Sequence, residues 1–136
     1  MMSSAQIFTH QLPSKIESLG SVEQIIEDIK NIHGIPEELY GNILVAVTEA
    51  VNNGIRHGNN LDESLLLELA FEFSDSEFSF VIQDQGTGFD FQNVPDPTHP
   101  DNIEKPDGRG IFIMETLSDE VKFTENGSTV SIKFFR

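Results

Sequence analysis

The stretch from Glu37 to Asn60, Glu-Glu-Leu-Tyr-Gly-Asn-Ile-Leu-Val-Ala-Val-Thr-Glu-Ala-Val-Asn-Asn-Gly-Ile-Arg-His-Gly-Asn-Asn, decides how the chain is read. Pro36 suits the first turn of a helix, where its missing N–H costs nothing, and Glu37 and Glu38 suit the positive end of the helix dipole. Leu39, Ile43, Val47, Ala50 and Val51 recur at steps of three and four and make one apolar face. Asn42, Ala46, Glu49 and Asn53 fall on a second face, with Glu49 and Asn53 one turn apart and side by side. An isolated Glu/Asn pair is most often the solvated edge of an amphipathic helix. Here the poor helix formers Asn52, Asn53 and Gly54 stand together and Gly58, Asn59 and Asn60 follow, so propensity is given up over the last turns. Local conflict of this kind is expected at working sites.

Upstream, Gln6 to Leu12 reads as a short strand. Ser21-Val22-Glu23-Gln24 has the form of a capping box, opening a helix lined by Val22, Ile25, Ile26 and Ile29 and closed by Gly34. Downstream, Leu65, Leu67, Leu69, Phe71 and Phe73 alternate with Glu68, Ala70 and Glu72, and Phe78, Phe80 and Ile82 alternate with Ser79, Val81 and Gln83. Asp75-Ser76 supplies a turn between these two strands, so an antiparallel hairpin is expected. Residues 90–107 have no period and carry Pro95, Pro97, Pro100 and Pro106. Gly108-Arg109-Gly110 ends this segment and opens a helix over Ile111 to Leu117. Val121 to Glu125 and Ser128 to Phe135 then form a hairpin across Asn126-Gly127, the strongest short turn signal in the chain. The order β-α-α-β-β-loop-α-β-β predicts an α/β two-layer sandwich, a mostly antiparallel mixed sheet with helices on one face.

With 136 residues the chain is the size of one domain, expected to span 1–136, and its 38% apolar content with 11 Phe fits a packed core. The 23 acidic against 8 basic residues give a formal charge of −15, which argues against a nucleic-acid partner. A bound nucleotide would have to be held locally, by backbone N–H groups and a metal ion. There are no cysteines, so disulfides and thiolate metal sites are excluded. His10, His33 and His99 lack ligand-like spacing for zinc, His57 reads as packing or capping, and Arg56 reads as a solvated helix end. No signal peptide and no run of the ~20 apolar residues of a membrane helix is present, so a soluble, cytoplasmic protein with no membrane partner is expected.

Three glycine-bearing segments lie at the ends of regular elements: Asn53 to Gly58, Asp84 to Gly88, and Gly108 to Gly110. Glycine in such places lets a ligand approach the backbone, and a helix N-terminus offers free N–H groups to an anion. The Glu-Ala-Val-Asn-Asn-Gly-Ile-Arg-His-Gly segment resembles the N box of the GHKL (Bergerat-fold) ATPases. Asp84-Gln85-Gly86-Thr87-Gly88-Phe89 resembles their first glycine box and Gly108-Arg109-Gly110-Ile111-Phe112-Ile113-Met114 their second. The spacing, and the continuation Glu115-Thr116-Leu117-Ser118-Asp119-Glu120-Val121, are most similar to the bacterial anti-sigma factor serine kinases of the RsbW/SpoIIAB type.

That resemblance implies a general base at Glu49, a Mg²⁺ ligand at Asn53, and an acceptor for the adenine amino group at Asp84. It implies that Gly86 and Gly88 let the backbone close over base and ribose, and that Gly108, Arg109 and Gly110 bring main-chain N–H groups to the phosphates of ATP. Thr129 resembles the family's last-box hydroxyl near the adenine. The implied function is an ATP-dependent serine-protein kinase that sequesters a sigma factor and phosphorylates a serine of an anti-anti-sigma (STAS-type) partner, working as a homodimer. The related sporulation kinases carry an arginine before the first helix for partner and nucleotide contact. Here that region is Pro13-Ser14-Lys15-Ile16-Glu17, and a lysine is a point charge where arginine is a fork. The alternative reading is a nucleotide-gated partner-binding (anti-sigma) module without turnover. A fragment of a histidine kinase and a metabolic enzyme with an acidic pocket stand further off.

An aperiodic segment of this length within a small domain is usually functional or mobile. Asn93 to Asp107 is therefore expected to act as a lid that Mg-ATP orders. Limited proteolysis should show cleavage in this segment suppressed by Mg-ATP, and equal cleavage with and without nucleotide would contradict the expectation.

Overall fold

The computed structural model describes residues 6–86 and 106–136. In order these form strand β1 (Gln6–Pro13), helix α1 (Ser18–His33), helix α2 (Glu37–Asn53), a π-helical turn (Gly54–Gly58), β2 (Leu66–Phe73), β3 (Glu77–Gln83), α3 (Pro106–Leu117), β4 (Glu120–Thr124), a 3-10 turn (Glu125–Gly127) and β5 (Thr129–Phe135). Gly88 and residues 93–105 of the expected lid lie outside the described residues. Pro106 and Asp107 already belong to α3, which begins before the Gly108-Arg109-Gly110 segment expected to open it.

The five strands form one sheet in the order β1-β2-β3-β5-β4, and every pairing among the described residues is antiparallel. The register places Phe8 opposite Phe71, Phe71 opposite Phe80, and Phe80 opposite Ile132. Because side chains alternate along a strand, one face collects Leu12, Leu67, Leu69, Phe71, Phe78, Phe80, Ile82, Val130, Ile132 and Phe134, all buried. The opposite face carries Glu68, Glu72, Gln83, Lys122 and Lys133. This is the expected sandwich, with one face of the sheet packed and one polar.

Helix α2 covers the apolar face with Ile43, Ala46, Val47, Ala50 and Val51. Burying each Ile or Val contributes roughly 1.5–3 kcal/mol, more than the roughly 0.7–1 kcal/mol that each of Asn52, Asn53 and Gly54 costs in a helix. Tertiary packing therefore carries α2 through a poor helical sequence as far as Asn53. Beyond it the helix widens into the π turn, closed by the Asn59 N–H donating to the Gly54 carbonyl at 2.8 Å. At the other end of the sheet, His33 packs its ring 4.8 Å from those of Phe8 and Phe73, so it is an aromatic partner of the core.

Three local expectations are corrected. Helix α1 starts at Ser18, before the Ser21 capping box, because the Ser18 hydroxyl donates to the Pro13 carbonyl (2.7 Å) and backbone turns at Ser18, Leu19 and Gly20 wind the chain directly off β1. Gln24 spends its side-chain amide on Asp28 (2.9 Å) instead of reaching back to Ser21. Pro36 stands just outside α2 in an extended conformation. The last hairpin does not turn on Asn126-Gly127 alone: Thr124 pairs with Thr129, the turn spans residues 125–128, and the positive φ values fall on Glu125 (53°) and Gly127 (94°).

Gly54 is required by close approach: a Cβ there would run into the Leu67 side chain, which is fully buried on β2. Gly54→Ala is expected to lower unfolding free energy by about 1–3 kcal/mol. Adding Leu67→Val should recover part of that loss in chemical denaturation. Purely additive losses would show that the two positions do not collide.

Candidate functional site

At the end of α2 nearest the π turn, the helices and the sheet's apolar face part to leave a cavity of about 120 Å³. Its apolar wall comes from Ala50, Ile82, Ile111, Met114, Phe123 and Val130, and its polar groups from Asn53, His57 and Asp84. A volume close to the ~150 Å³ void that admits benzene suits one flat ring system. The strand residues are inward-facing members of β3, β4 and β5, so the sheet pattern itself lays down this wall.

Asp84 follows β3 directly and is clamped at its backbone, where its N–H donates to the Ser128 carbonyl at 2.9 Å. Its carboxylate accepts the Gly86 N–H at 2.8 Å. Burial pushes the carboxyl above its ordinary 3.8, and the Gly86 bond opposes that rise. Gly58 and Gly86 let this corner close: a Cβ on Gly58 would overlap the Asp84 carboxylate, and one on Gly86 would overlap the Gly58 carbonyl.

The Glu49/Asn53 pair meets α3. A Cβ on Gly110 would stand 3.2 Å from Glu49 Oε2 and 3.3 Å from both polar atoms of the Asn53 carboxamide. The second glycine segment is thus laid against the pair, where no larger residue fits without displacing it. Gly108 and Arg109 sit in the first turn of α3, and the N-terminal end of a helix suits an anion.

The structure brings Asn53 and Asp84 onto one cavity, Gly86 beside Asp84, and Gly110 beside Glu49 and Asn53. Gly88 lies outside the described residues. Thr129 does not line the cavity: it alternates with Val130 along β5, and its buried hydroxyl has no hydrogen-bond partner among the described residues. The hydroxyl-bearing residue in the cavity wall is Ser128, one position earlier, beside Gly127. His57, expected only to pack or cap, also lines the cavity. Asn59 went unmarked as a site residue: it is 1% exposed, its Oδ1 accepts the Gln85 N–H at 2.7 Å, and its Nδ2 donates to Ser14 Oγ at 2.8 Å and the Leu66 carbonyl at 3.3 Å.

Comparison with known proteins defines the class. A family model described as a histidine kinase-like ATPase domain matches residues 12–134, and the chain belongs to that family. Within it the chain is similar to serine-protein kinases of the RsbW type. It is 29% identical over 127 residues to the serine-protein kinase RsbW of Oceanobacillus iheyensis, a match covering 89% of this chain and 80% of that protein. The serine-protein kinase RsbW of Staphylococcus epidermidis is 28% identical over 145 residues, covering 100% of this chain and 91% of that protein. In fold, the chain resembles the crystal structure of the RsbU and RsbW domains of a Mycobacterium tuberculosis protein, with a TM-score of 0.62 and 14% identity. That likeness covers 96% of this chain and 32% of the other. Among the described residues, no helix is long and apolar enough to cross a membrane.

Because its carboxyl is raised on folding, Asp84 contributes stability only below about its unfolded value, and that contribution is lost as pH rises through the folded one. An ionised Asp84 near neutrality therefore costs the nucleotide-free protein stability. Asp84→Asn should raise Tm at pH 7, with the margin over wild type narrowing as pH falls toward about 4. A margin independent of pH, or a loss of stability at pH 7, would contradict this.

Proposed function

We propose that the protein is an ATP-dependent serine-protein kinase and anti-sigma factor, a cytoplasmic homodimer that binds Mg-ATP, sequesters a sigma factor in one state and phosphorylates a serine of an anti-anti-sigma (STAS-type) protein in the other. One observation carries the reading: Gly110 of α3 lies against Glu49 and Asn53 at a cavity of ring size with a carboxylate in its wall. That arrangement supports a carboxylate, an oxygen ligand and helix N-terminal N–H groups acting together. The relatives' names as serine-protein kinases support the reaction. Partners, dimer and compartment rest on the family resemblance.

The residues fit an adenine nucleotide on their chemistry. Ile82, Met114, Phe123 and Val130 offer apolar surface to the faces of a flat base, and Asp84 offers an acceptor to its edge. Adenine presents an amino donor where guanine presents a carbonyl acceptor, so a carboxylate here favours ATP over GTP. Asn53 supplies one hard oxygen ligand, enough for Mg²⁺ when waters and phosphate oxygens complete its shell. When bound, Mg-ATP supplies the transferable phosphoryl group and the divalent charge that offsets it.

Glu49 stands one helical pitch from Asn53 and would hold the acceptor hydroxyl and take its proton. At the N-terminal end of α3, Gly108 would offer its main-chain N–H to phosphate oxygens, with Arg109 and Gly110 in the turn beside it, and Gly86 and Gly88 would let backbone approach base and ribose. With a formal charge of −15, local donors and the metal must hold the anion against the protein's own field.

Incubation with Mg-ATP and a candidate anti-anti-sigma protein should transfer phosphate to a serine. Glu49→Gln should reduce transfer by about 10²–10⁴-fold while ATP affinity is retained. Undiminished transfer by Glu49→Gln would refute the assigned base. ATP binding without transfer in the wild type would identify the nucleotide-gated binding module instead.

A further inference from the structure

We propose that Asn59 is the positioning residue of the Asp84 loop, holding through its carboxamide the peptide that aims the purine-reading carboxylate. The inference rests on the nucleotide reading of the cavity and goes beyond it, because Asn59 is not among the residues lining the cavity.

Its orientation is forced by its neighbours. The Ser14 hydroxyl already donates to the Leu65 carbonyl at 2.8 Å, so toward Asn59 it can only accept. The Asn59 Nδ2 must therefore face Ser14, and its second hydrogen points at the Leu66 carbonyl. This leaves Oδ1 for the Gln85 N–H at 2.7 Å, with no alternative flip that satisfies all three partners. The next N–H along the chain, that of Gly86, is the donor to Asp84 Oδ1. Gln85 is pinned a second time, its side-chain Oε1 accepting the Leu66 N–H at 2.6 Å.

A relay thus runs from the β1–α1 junction through Ser14, Asn59 and the Gln85 peptide to the Asp84 carboxylate. It joins segments 45 and 26 residues apart in sequence. The backbone around Asn59 is built to hold it there. Its own N–H closes the π turn on Gly54, and the chain then reverses through Asn60 (φ 53°) and Leu61 (φ 59°). A left-handed leucine is a strained conformation that persists only where surrounding bonds over-determine it. An ordinary core position would be filled as well by an apolar residue of the same shape.

The test compares Asn59→Leu, which keeps the shape and deletes both polar ends, with Phe134→Leu, which removes buried core volume opposite Phe78 at the far end of β5, away from the relay. Calorimetric titration with Mg-ATP and Mg-GTP gives the preference for ATP, and amide hydrogen exchange without nucleotide reports the loop. Asn59→Leu is expected to lower the preference about tenfold, the worth of one well-made hydrogen bond, and to speed exchange at Gln85 and Gly86. Phe134→Leu should lower Tm while leaving preference and exchange at wild-type values.

An unchanged preference in Asn59→Leu, or slow Gln85 exchange in that variant, would overturn the proposal. A wild type that takes up neither nucleotide would overturn the ATP reading, and the exchange measurement would still decide the anchor. If Asn59→Leu does not fold, Asn59→Ser, too short to reach Gln85, takes its place with the same expectation.

Discussion

Helix α2 is pressed onto the sheet through Ile43, Val47, Ala50 and Val51, and the positions of Glu49, Asn53 and the π turn follow from that seating. The buried residues fix the rotation of the helix about its axis. Glu49 and Asn53 are consequently turned toward α3, and Gly54 passes over Leu67 with no room for a Cβ. The packing energy also sustains a helix that Asn52, Asn53 and Gly54 would not form alone. Where that support ends the chain widens into the π turn, a feature found frequently at functional sites, and the cavity lies beside it.

The same geometry sets stability against function at one corner. Asp84 is half-buried beside apolar walls, and that burial disfavours its charged form by more than the Gly86 N–H bond restores. A protein built for stability alone would place an amide there. A carboxylate makes chemical sense if a donor arrives to meet it, and the amino edge of adenine is such a donor. The glycines at 58 and 86 belong to the same account, since each marks a place where backbone approaches another site group too closely for a side chain, while at Gly110 a Cβ would sit tightly against Glu49 and Asn53.

Most of the architecture was legible in the sequence because it depends on period. The inward row Leu67, Leu69, Phe71 and the row Phe78, Phe80, Ile82 announce a half-buried sheet by alternation alone, and the structure places them in the core. The three glycine segments were legible as site candidates because glycine at the end of an element is locally unusual. What escaped depends on contacts remote in sequence or on competition between partners. Asn59 stood out only as one of several clustered poor helix formers, and its role escaped because its partners come from the β1–α1 junction, β2 and the Asp84 loop. The Ser21 capping box yielded to the Ser18 bond with Pro13, and α3 starts at Pro106, two residues before the glycine segment expected to open it. Ser128 and Val130 line the cavity and Thr129 between them does not, a placement that the family resemblance behind the Thr129 expectation does not carry.

A crystal structure with Mg²⁺ and a non-hydrolysable ATP analogue tests the central claim most directly. The account predicts the base between Ile82, Met114, Phe123 and Val130 with its amino group on Asp84, the metal on Asn53, and the phosphates at the first turn of α3. A nucleotide bound elsewhere, or this cavity closed by its own side chains at saturating ligand, would contradict it.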